Sequence, residues 1–227
     1  MITATNHAHT VAVIPARGGS KGVPLKNIKG LAGHPLISYT IQSALNAGNI
    51  DRVIVSTDSE RIAEIAREYG ADVPFLRLPE HSGDKALVGA AVQYTLKKLY
   101  GEDFNSICQI TLYPTSPFRS AKLVRFLTDK LHQGHSQVST VKRMNDTDNF
   151  FLCTNRGCLP ISYSPSYALH KHYGVFSGRG LGVDRRYVHV LKEPVSWVDI
   201  DTPDDFALAE AIISKGLFSW EADILDR

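Results

Sequence analysis

A short loop near the start of the chain combines glycines with cationic side chains. Its glycines, cations and polar neighbours are Arg17, Gly18, Gly19, Ser20, Lys21, Gly22, Lys26 and Asn27. Glycines allow backbone N–H groups to turn towards an anion without obstruction by side chains, and the cations add attractive charge. The spacing matches neither the Walker A loop nor the dinucleotide-binding GxGxxG sequence. The loop therefore predicts a polyphosphate site of another type, with a flexible basic surface loop as the weaker alternative.

Two carboxylates, Asp199 and Asp201, lie on either side of Ile200 much later in the chain. In a strand, residues two positions apart project from the same face. Neighbouring carboxylates repel each other unless a cation or protonation relieves the repulsion. Mg²⁺ takes oxygen ligands from one or two carboxylates together with substrate phosphates. The pair is therefore a candidate Mg²⁺ site, although Asp201 could instead share the capping of the next helix with Thr202.

Two further aspartates, Asp58 and Asp84, follow apolar segments. Each is interpreted equally well as a helix N-cap or as a nucleotide contact. The two His-x-His pairs lack further ligands at zinc-site spacing, and no nucleophile with its base is recognisable. The residues indicate stabilisation of phosphate charge and give no support for covalent catalysis.

Apolar runs alternate with segments of helical periodicity along the chain. The runs predict strands at residues 10–15, 52–56, 72–76, 106–112, 137–142, 188–191 and 195–198. The periodic segments predict helices at residues 35–47, 60–69, 86–100, 121–132 and 203–214. This order predicts an α/β fold with a doubly wound, mostly parallel sheet, in which ligands bind beyond the carboxyl ends of the strands. The basic loop directly follows the first of these strands.

The periodic pattern is interrupted between residues 143 and 186, where Gly, Ser, Asn, Tyr and Pro dominate. We expect a small irregular insertion of short strands and loops there, within one domain. The glycine-rich run at residues 178–182 follows no strand–helix unit and is expected to be a mobile loop.

Composition and charge narrow the class of protein further. The 227 residues can bury one sizeable core, and the net charge of +2 provides no strong field for nucleic acid or an anionic membrane. No apolar run approaches the ~20 residues that span a bilayer, and the first ten residues lack the pattern of a signal peptide. The three cysteines form no disulfide framework. A cytoplasmic location is expected.

Several segments in order resemble the acylneuraminate cytidylyltransferase family, whose members activate sialic acids and related nonulosonic acids as CMP-sugars. The matching segments are IPARGGSKGVPLKN (14–27), VSTDSERIAEIAREYGADVPFLR (55–77), the region of Asp84, LYPTSPFR (112–119) and DIDTPDDFALAE (199–210). The resemblance spans most of the chain and is weak at residues 143–186. It implies a Rossmann-like nucleotidyltransferase fold and a single cytidylyltransferase domain over residues 1–227.

The resemblance also implies a reaction and a role for each matching residue. The anomeric hydroxyl of an acidic 2-keto sugar would attack the α-phosphate of CTP and release pyrophosphate, with Mg²⁺ and cations stabilising the charge. The residues implied to bind CTP are Arg17, Gly18, Gly19, Ser20, Lys21, Lys26, Asn27, Arg77 and Asp84. Catalytic roles are implied for Arg17, Lys21 and Asp201. Asp199 and Asp201 would bind the metal, and the acceptor would be bound by Tyr113, Thr115, Ser116 and Tyr173.

The acceptor side departs from the sialic-acid pattern. The family commonly reads LQPTSPLR where this chain reads LYPTSPFR, so Tyr113 replaces a glutamine near the sugar. Members of the pseudaminate type have a tyrosine there, which favours a modified nonulosonic acid. The family's Asn-Gly-Ala-Ile-Tyr run is absent, and HYGVF (172–176) is the nearest candidate. KDO-activating enzymes usually carry an arginine where this loop has Lys21-Gly22, so they fit less well.

Three functions stay open on the sequence. The leading one is a CMP-nonulosonate synthetase, followed by a cytidylyltransferase for another acidic acceptor, such as KDO or a phosphonate. The third is a nucleotide-binding module without catalysis. The family's middle segment often forms an arm that inserts into a partner subunit, so residues 143–186 are expected to serve dimerisation and the acceptor side of a homodimer.

Overall fold

A six-stranded mixed sheet organises the chain, as seen in a computed structural model that describes residues 9–20, 22–78, 88–143, 151–154, 157–160 and 170–220. The strands of this sheet are β1 (Thr10–Pro15), β4 (Arg52–Ser56), β5 (Cys108–Thr111), β6 (Gln137–Arg143), β9 (His170–Arg179) and β10 (Arg186–Val190). Their order across the sheet is β10-β6-β9-β5-β1-β4. β1 pairs in parallel with β4 and β5, and β10 with β6, whereas β9 runs antiparallel between β5 and β6.

Helices cover the two faces of the sheet. They are α1 (Leu36–Leu45), α2 (Glu60–Glu68), α3 (Val88–Tyr100), α4 (Ala121–His132) and α5 (Pro203–Ser214). Alternate residues of β1 enter different cores: Ala12 and Ile14 pack with α1, α2 and α4, while Val11 and Val13 pack with α3. A strand that is buried on both faces reads as a continuous apolar run, which explains the sequence of β1.

Two small hairpins complete the regular structure. The first joins β2 (Gly30–Leu31) to β3 (His34–Pro35), and the second joins β7 (Phe151–Thr154) to β8 (Gly157–Pro160). Short 3₁₀ helices lie at Lys26–Ile28, Gly101–Ser106 and Pro194–Trp197. No helix in the described ranges is long and apolar enough to cross a bilayer.

The predicted α/β fold with a doubly wound, mostly parallel sheet is confirmed, but two of the predicted strands are wrong. In the segment 72–76 only Asp72 pairs, as an isolated bridge to Ile54, because Pro74 has no N–H with which to extend the ladder. The segment 195–198 falls largely within the 3₁₀ helix Pro194–Trp197, where Pro194 occupies the first turn. The fixed φ of proline suits a helical start better than a strand.

The loop predicted for the glycine-rich run at residues 178–182 is wrong for Gly178 and Arg179, whereas residues 180–182 lie beyond the end of β9. Gly178 belongs to β9, inside the main sheet. At Gly180 the backbone runs against the carbonyl oxygen of His135, in the turn after α4, and a Cβ would overlap that oxygen. These glycines therefore allow close packing of two backbones.

Candidate active site

The basic loop leaves the carboxyl end of β1 and folds back on the neighbouring strand end. The N–H of Gly18 donates to Asp58 Oδ1 at 2.8 Å, and Asn27 Nδ2 donates to the carbonyl oxygen of Arg17 at 3.0 Å. Asp58 follows β4, where Ser59 caps α2. Asp58 is therefore not the N-cap and serves instead to anchor the loop. Gly19 is exposed, Ser20 is half-buried, and Lys21 lies outside the described residues.

Arg77 lies close to this anchor. Its side chain is buried, and burial lowers the pKa of Arg77, with nearby Arg17 adding to the effect and Asp58 opposing it. Its Nε has no hydrogen-bond partner within the described part of the chain. A buried cation with a free donor is costly unless an anion completes it. The predicted contact Asp84 lies outside the described residues.

Lys26 links the basic loop to the acidic segment at the other end of the sequence. Its Nζ donates to the carbonyl oxygen of Ile200 at 2.6 Å and to Asp201 Oδ1 at 2.7 Å. The Lys26 side chain is only 12% exposed, whereas that of Asp201 is 70% exposed. Gly22 lies against the backbone of Asp201, and a Cβ at Gly22 would overlap its carbonyl oxygen. The two segments are thus in direct contact.

A third segment, residues 112–119, follows β5 at the same edge of the sheet. It carries three of the predicted acceptor residues and is here called the acceptor loop. Arg119 is fully buried at its end, and its Nη2 donates to the carbonyl oxygens of Tyr113 and Ser116 at 2.5 and 2.6 Å. Burial lowers the pKa of Arg119 to about 9, and the negative charge of Asp199 opposes the shift. Burial, followed by the same carboxylate, raises the pKa of Tyr113. Asp199 therefore lies near both side chains.

Arg119 was not among the site residues predicted from the sequence. Its position between the buried Phe118 and the helix cap Ser120 was a usable signal, because a charged side chain enclosed by apolar or capping neighbours usually has a specific partner. The partners themselves, two carbonyl groups of its own loop, depend on the fold.

The remaining predicted acceptor residues surround this loop. The Tyr113 ring lies against Gly174 of β9, where a Cβ would overlap it, and the Tyr113 N–H donates to the Gly174 carbonyl oxygen at 3.3 Å. The carbonyl oxygen of Thr115 accepts from the N–H of Ile200 at 2.8 Å. Ser116 is buried, and its Oγ has no partner among the described residues. Tyr173 neighbours Gly174 and pairs through its backbone with Thr140.

The acidic pair does not sit on a strand, so the expected alternation on one strand face is wrong. Asp199 and Asp201 follow the 3₁₀ helix, and both are exposed. Thr202 caps α5 in a capping box with Asp205, so Asp201 does not act as the cap. No group of three or more metal-binding side chains occurs in the part of the chain that the structure describes. Two exposed carboxylates still suit Mg²⁺, which completes its coordination with water and substrate phosphates.

Comparisons with known proteins agree with this geometry. Residues 11–154 match the family model described as cytidylyltransferase. The chain is 40% identical over 129 residues to pseudaminic acid cytidylyltransferase of Campylobacter jejuni, a match that covers 56% of this chain and 55% of the relative. It thus spans about half the length of that relative. It is 33% identical over 224 residues to CMP-N,N'-diacetyllegionaminic acid synthase of Legionella pneumophila, covering 89% of this chain and 95% of the relative.

A solved structure shares the fold. CMP:2-keto-3-deoxy-manno-octonic acid synthetase, complexed with CTP, superposes with a TM-score of 0.67 at 17% identity, covering 92% of this chain and all of that one. The mixed sheet and its flanking helices therefore form a Rossmann-like fold, shared with that synthetase. With the family model matching most of the sheet and the legionaminic acid relative matching nearly end to end, this chain belongs to the cytidylyltransferase family.

Proposed function

We propose that this chain transfers CMP from CTP to the anomeric hydroxyl of a nonulosonic acid and releases pyrophosphate. One observation carries the proposal. Lys26 joins the basic loop to Asp201, and the backbone of that acidic segment joins the acceptor loop through Ile200 and Thr115. A cationic loop, exposed carboxylates and a second substrate loop thus meet at one edge of the sheet, where α/β enzymes bind their ligands.

The CTP site is proposed from the cations of this edge. Arg17, Lys26 and Arg77 would stabilise the triphosphate, and the Arg77 Nε, which has no partner among the described residues, would supply a buried donor for an anion. Charge-assisted contacts of this kind position the α-phosphate and stabilise the charge that develops as pyrophosphate leaves. Lys21 and Asp84 are proposed as further contacts on the resemblance alone.

A Mg²⁺ requirement is also proposed. Asp199 and Asp201 would hold the ion, which neutralises charge on the triphosphate when it is bound. Lys26 already donates to Asp201 Oδ1, so it fixes the orientation of that carboxylate and leaves Oδ2 for other ligands.

The acceptor is proposed to be a nonulosonic acid such as pseudaminic or legionaminic acid. The names of the two relatives support this class of substrate. Tyr113, Thr115, Ser116 and Tyr173 are the proposed acceptor residues, and the Ser116 Oγ, which has no partner among the described residues, would offer a hydroxyl for an acidic sugar. Arg119 holds the carbonyl groups of this loop and thereby the position of Tyr113.

A homodimer in the cytoplasm, without nucleic-acid or membrane partners, completes the proposal. Residues 143–186 would provide the subunit contact, as in the family that the sequence resembles. Light scattering at micromolar protein concentration should give about twice the monomer mass of 25.0 kDa. A single species of monomer mass would contradict the dimer and leave the reaction unaffected.

Pyrophosphate release separates the three candidate functions. The protein is incubated with CTP, Mg²⁺ and a panel that contains pseudaminic acid, legionaminic acid, N-acetylneuraminic acid, KDO and a phosphonate. We expect release with at least one nonulosonic acid, and loss of that release in EDTA. Release with KDO or the phosphonate alone would favour the second candidate. CTP binding without any release would favour the binding module.

A further inference from the structure

A small apolar core lies directly under the three segments of the candidate site. Each segment contributes one buried side chain: Val23 from the basic loop, Phe118 from the acceptor loop and Ile200 from the acidic segment. Helix α5 contributes Phe206 and Ile212. The relative positions of the three segments therefore depend on how tightly this core, here called the loop core, is packed.

Trp220, which lies beyond α5, closes the outer side of the loop core. Its ring stacks on that of Tyr39 with 4.9 Å between centroids, and it packs against Phe118 at 6.0 Å and Phe218 at 5.1 Å. Its indole Nε1 donates to the carbonyl oxygen of Pro117 at 3.1 Å. Trp220 thus holds the acceptor loop by both a ring contact and a directional hydrogen bond.

The other partner of Trp220 leads back to the basic loop. Tyr39 lies in α1, and its hydroxyl donates to the carbonyl oxygen of Leu31 at 2.6 Å. Leu31 belongs to the hairpin that follows the basic loop, and its side chain is buried in the loop core. The stacked Tyr39 therefore gives Trp220 a fixed support that does not belong to the acceptor loop.

The carbonyl oxygen of Pro117 accepts two hydrogen bonds, one from the N–H of Arg119 within the loop at 3.0 Å and one from the Trp220 indole outside it. On the inner side, Arg119 holds the carbonyl oxygens of Tyr113 and Ser116. On the outer side, the Trp220 indole donates to the carbonyl oxygen of Pro117, which directly follows Ser116 in the chain. The same peptide segment carries Tyr113, Thr115 and Ser116.

We propose that Trp220 is a positioning residue for the sugar acceptor, because it fixes the acceptor loop from outside through the Pro117 carbonyl oxygen. This rests on the proposed function, in which the loop binds a nonulosonic acid. The hydrogen bond of Trp220 goes to the acceptor loop, so losing that bond alone should affect the acceptor and spare CTP.

Trp220→Phe and Trp220→Ala test the proposal by steady-state kinetics and by calorimetry with CTP. Phenylalanine keeps an aromatic ring but has no N–H donor, so the KM for the acceptor should rise about three- to tenfold, the range of one lost hydrogen bond. Alanine should raise it further. The Kd for CTP should stay within about twofold of wild type in Trp220→Phe, which keeps an aromatic ring in the loop core. The exposed Leu217 in the same segment provides a matched control, and Leu217→Ala should change neither value.

Hydrogen exchange gives a second measurement that needs no turnover. Amides of residues 113–119 should exchange faster in Trp220→Phe than in wild type, while those of β1 should not change. An unchanged acceptor KM together with unchanged exchange in this loop would overturn the proposal. A rise in the Kd for CTP in Trp220→Phe as large as the rise in the acceptor KM would also overturn it. Absence of turnover in wild type is a failure of the proposed function instead, and faster loop exchange would then still support the restraint by Trp220.

Discussion

Replacing Gly22 by alanine is the smallest change that should separate the basic loop from the acidic segment. A Cβ at Gly22 would overlap the carbonyl oxygen of Asp201 and lie 3.2 Å from its carbonyl carbon. Both partners are backbone, so no side-chain rotation relieves the overlap, and the loop must move by ~1 Å to restore van der Waals contact. A misplacement of ~1 Å at a catalytic site costs roughly 100-fold in rate. The overpacking should also destabilise the fold by about 1–3 kcal/mol.

The assay is pyrophosphate release at saturating CTP and acceptor, accompanied by thermal unfolding. Gly30→Ala is the matched control, because a Cβ at Gly30 meets open space in the hairpin that follows the same loop. We expect kcat to fall about 100-fold in Gly22→Ala and to remain within about twofold of wild type in Gly30→Ala. If Gly22→Ala retains more than half of the wild-type kcat, the contact between the loop and Asp201 does not position the reacting groups.

Three other substitutions test separate parts of the account. Arg17→Ala removes a proposed charged contact to phosphate and should weaken CTP binding by ~1.5–3 kcal/mol, and an unchanged Kd by calorimetry would remove Arg17 from the site. Asp201→Ala should abolish turnover by removing a proposed metal ligand, whereas near-normal activity in saturating Mg²⁺ would refute that role. Burial, with nearby Lys192 adding, lowers the pKa of His189 below 6.5, so the unfolded chain binds more protons and the free energy of unfolding should decrease as the pH falls below 6.5. His189→Gln should make that decrease shallower in urea titrations, and an identical slope would show that another group causes it.

The sequence predicted the parts of the fold that depend on local pattern. β1 and β4 read as uninterrupted β-branched runs because both faces of each strand are buried. Helix α5 was predicted with its cap at Thr202 because Pro203 and the following acidic residues form a local start signal. Its bounds therefore needed no knowledge of the tertiary structure.

Elements whose structure depends on contacts with residues distant in the sequence were harder to predict. β9 is a ten-residue strand inside the main sheet, but it contains glycines at positions 174 and 178, where neighbouring side chains approach closely. Because of these glycines the sequence resembles that of a loop. Pro194 gave a local signal, yet the apolar residues after it were interpreted as a strand although they enter the loop core beside Ile200. Periodicity alone does not show whether such a short apolar run forms a strand or a short helix.

In the candidate site, too, residue types could be predicted from the sequence but contacts between distant residues could not. The cations of the basic loop and the two carboxylates were recognisable by residue type, but their connection through Lys26 spans most of the chain and was not. Asp58 was left between two roles, and only the fold shows that its carboxylate receives the Gly18 N–H. Arg119 was overlooked because its partners are backbone carbonyl groups, which have no signature in the sequence.

Mass analysis of the product tests the central claim most directly. The protein is incubated with CTP, Mg²⁺ and an equimolar mixture of pseudaminic acid, legionaminic acid, N-acetylneuraminic acid and KDO. The nucleotide sugars are then separated and identified by mass spectrometry. We expect a CMP-nonulosonate as the main product, in excess over CMP-KDO. CMP-KDO as the main product, or no CMP-sugar while CTP stays intact, would contradict it.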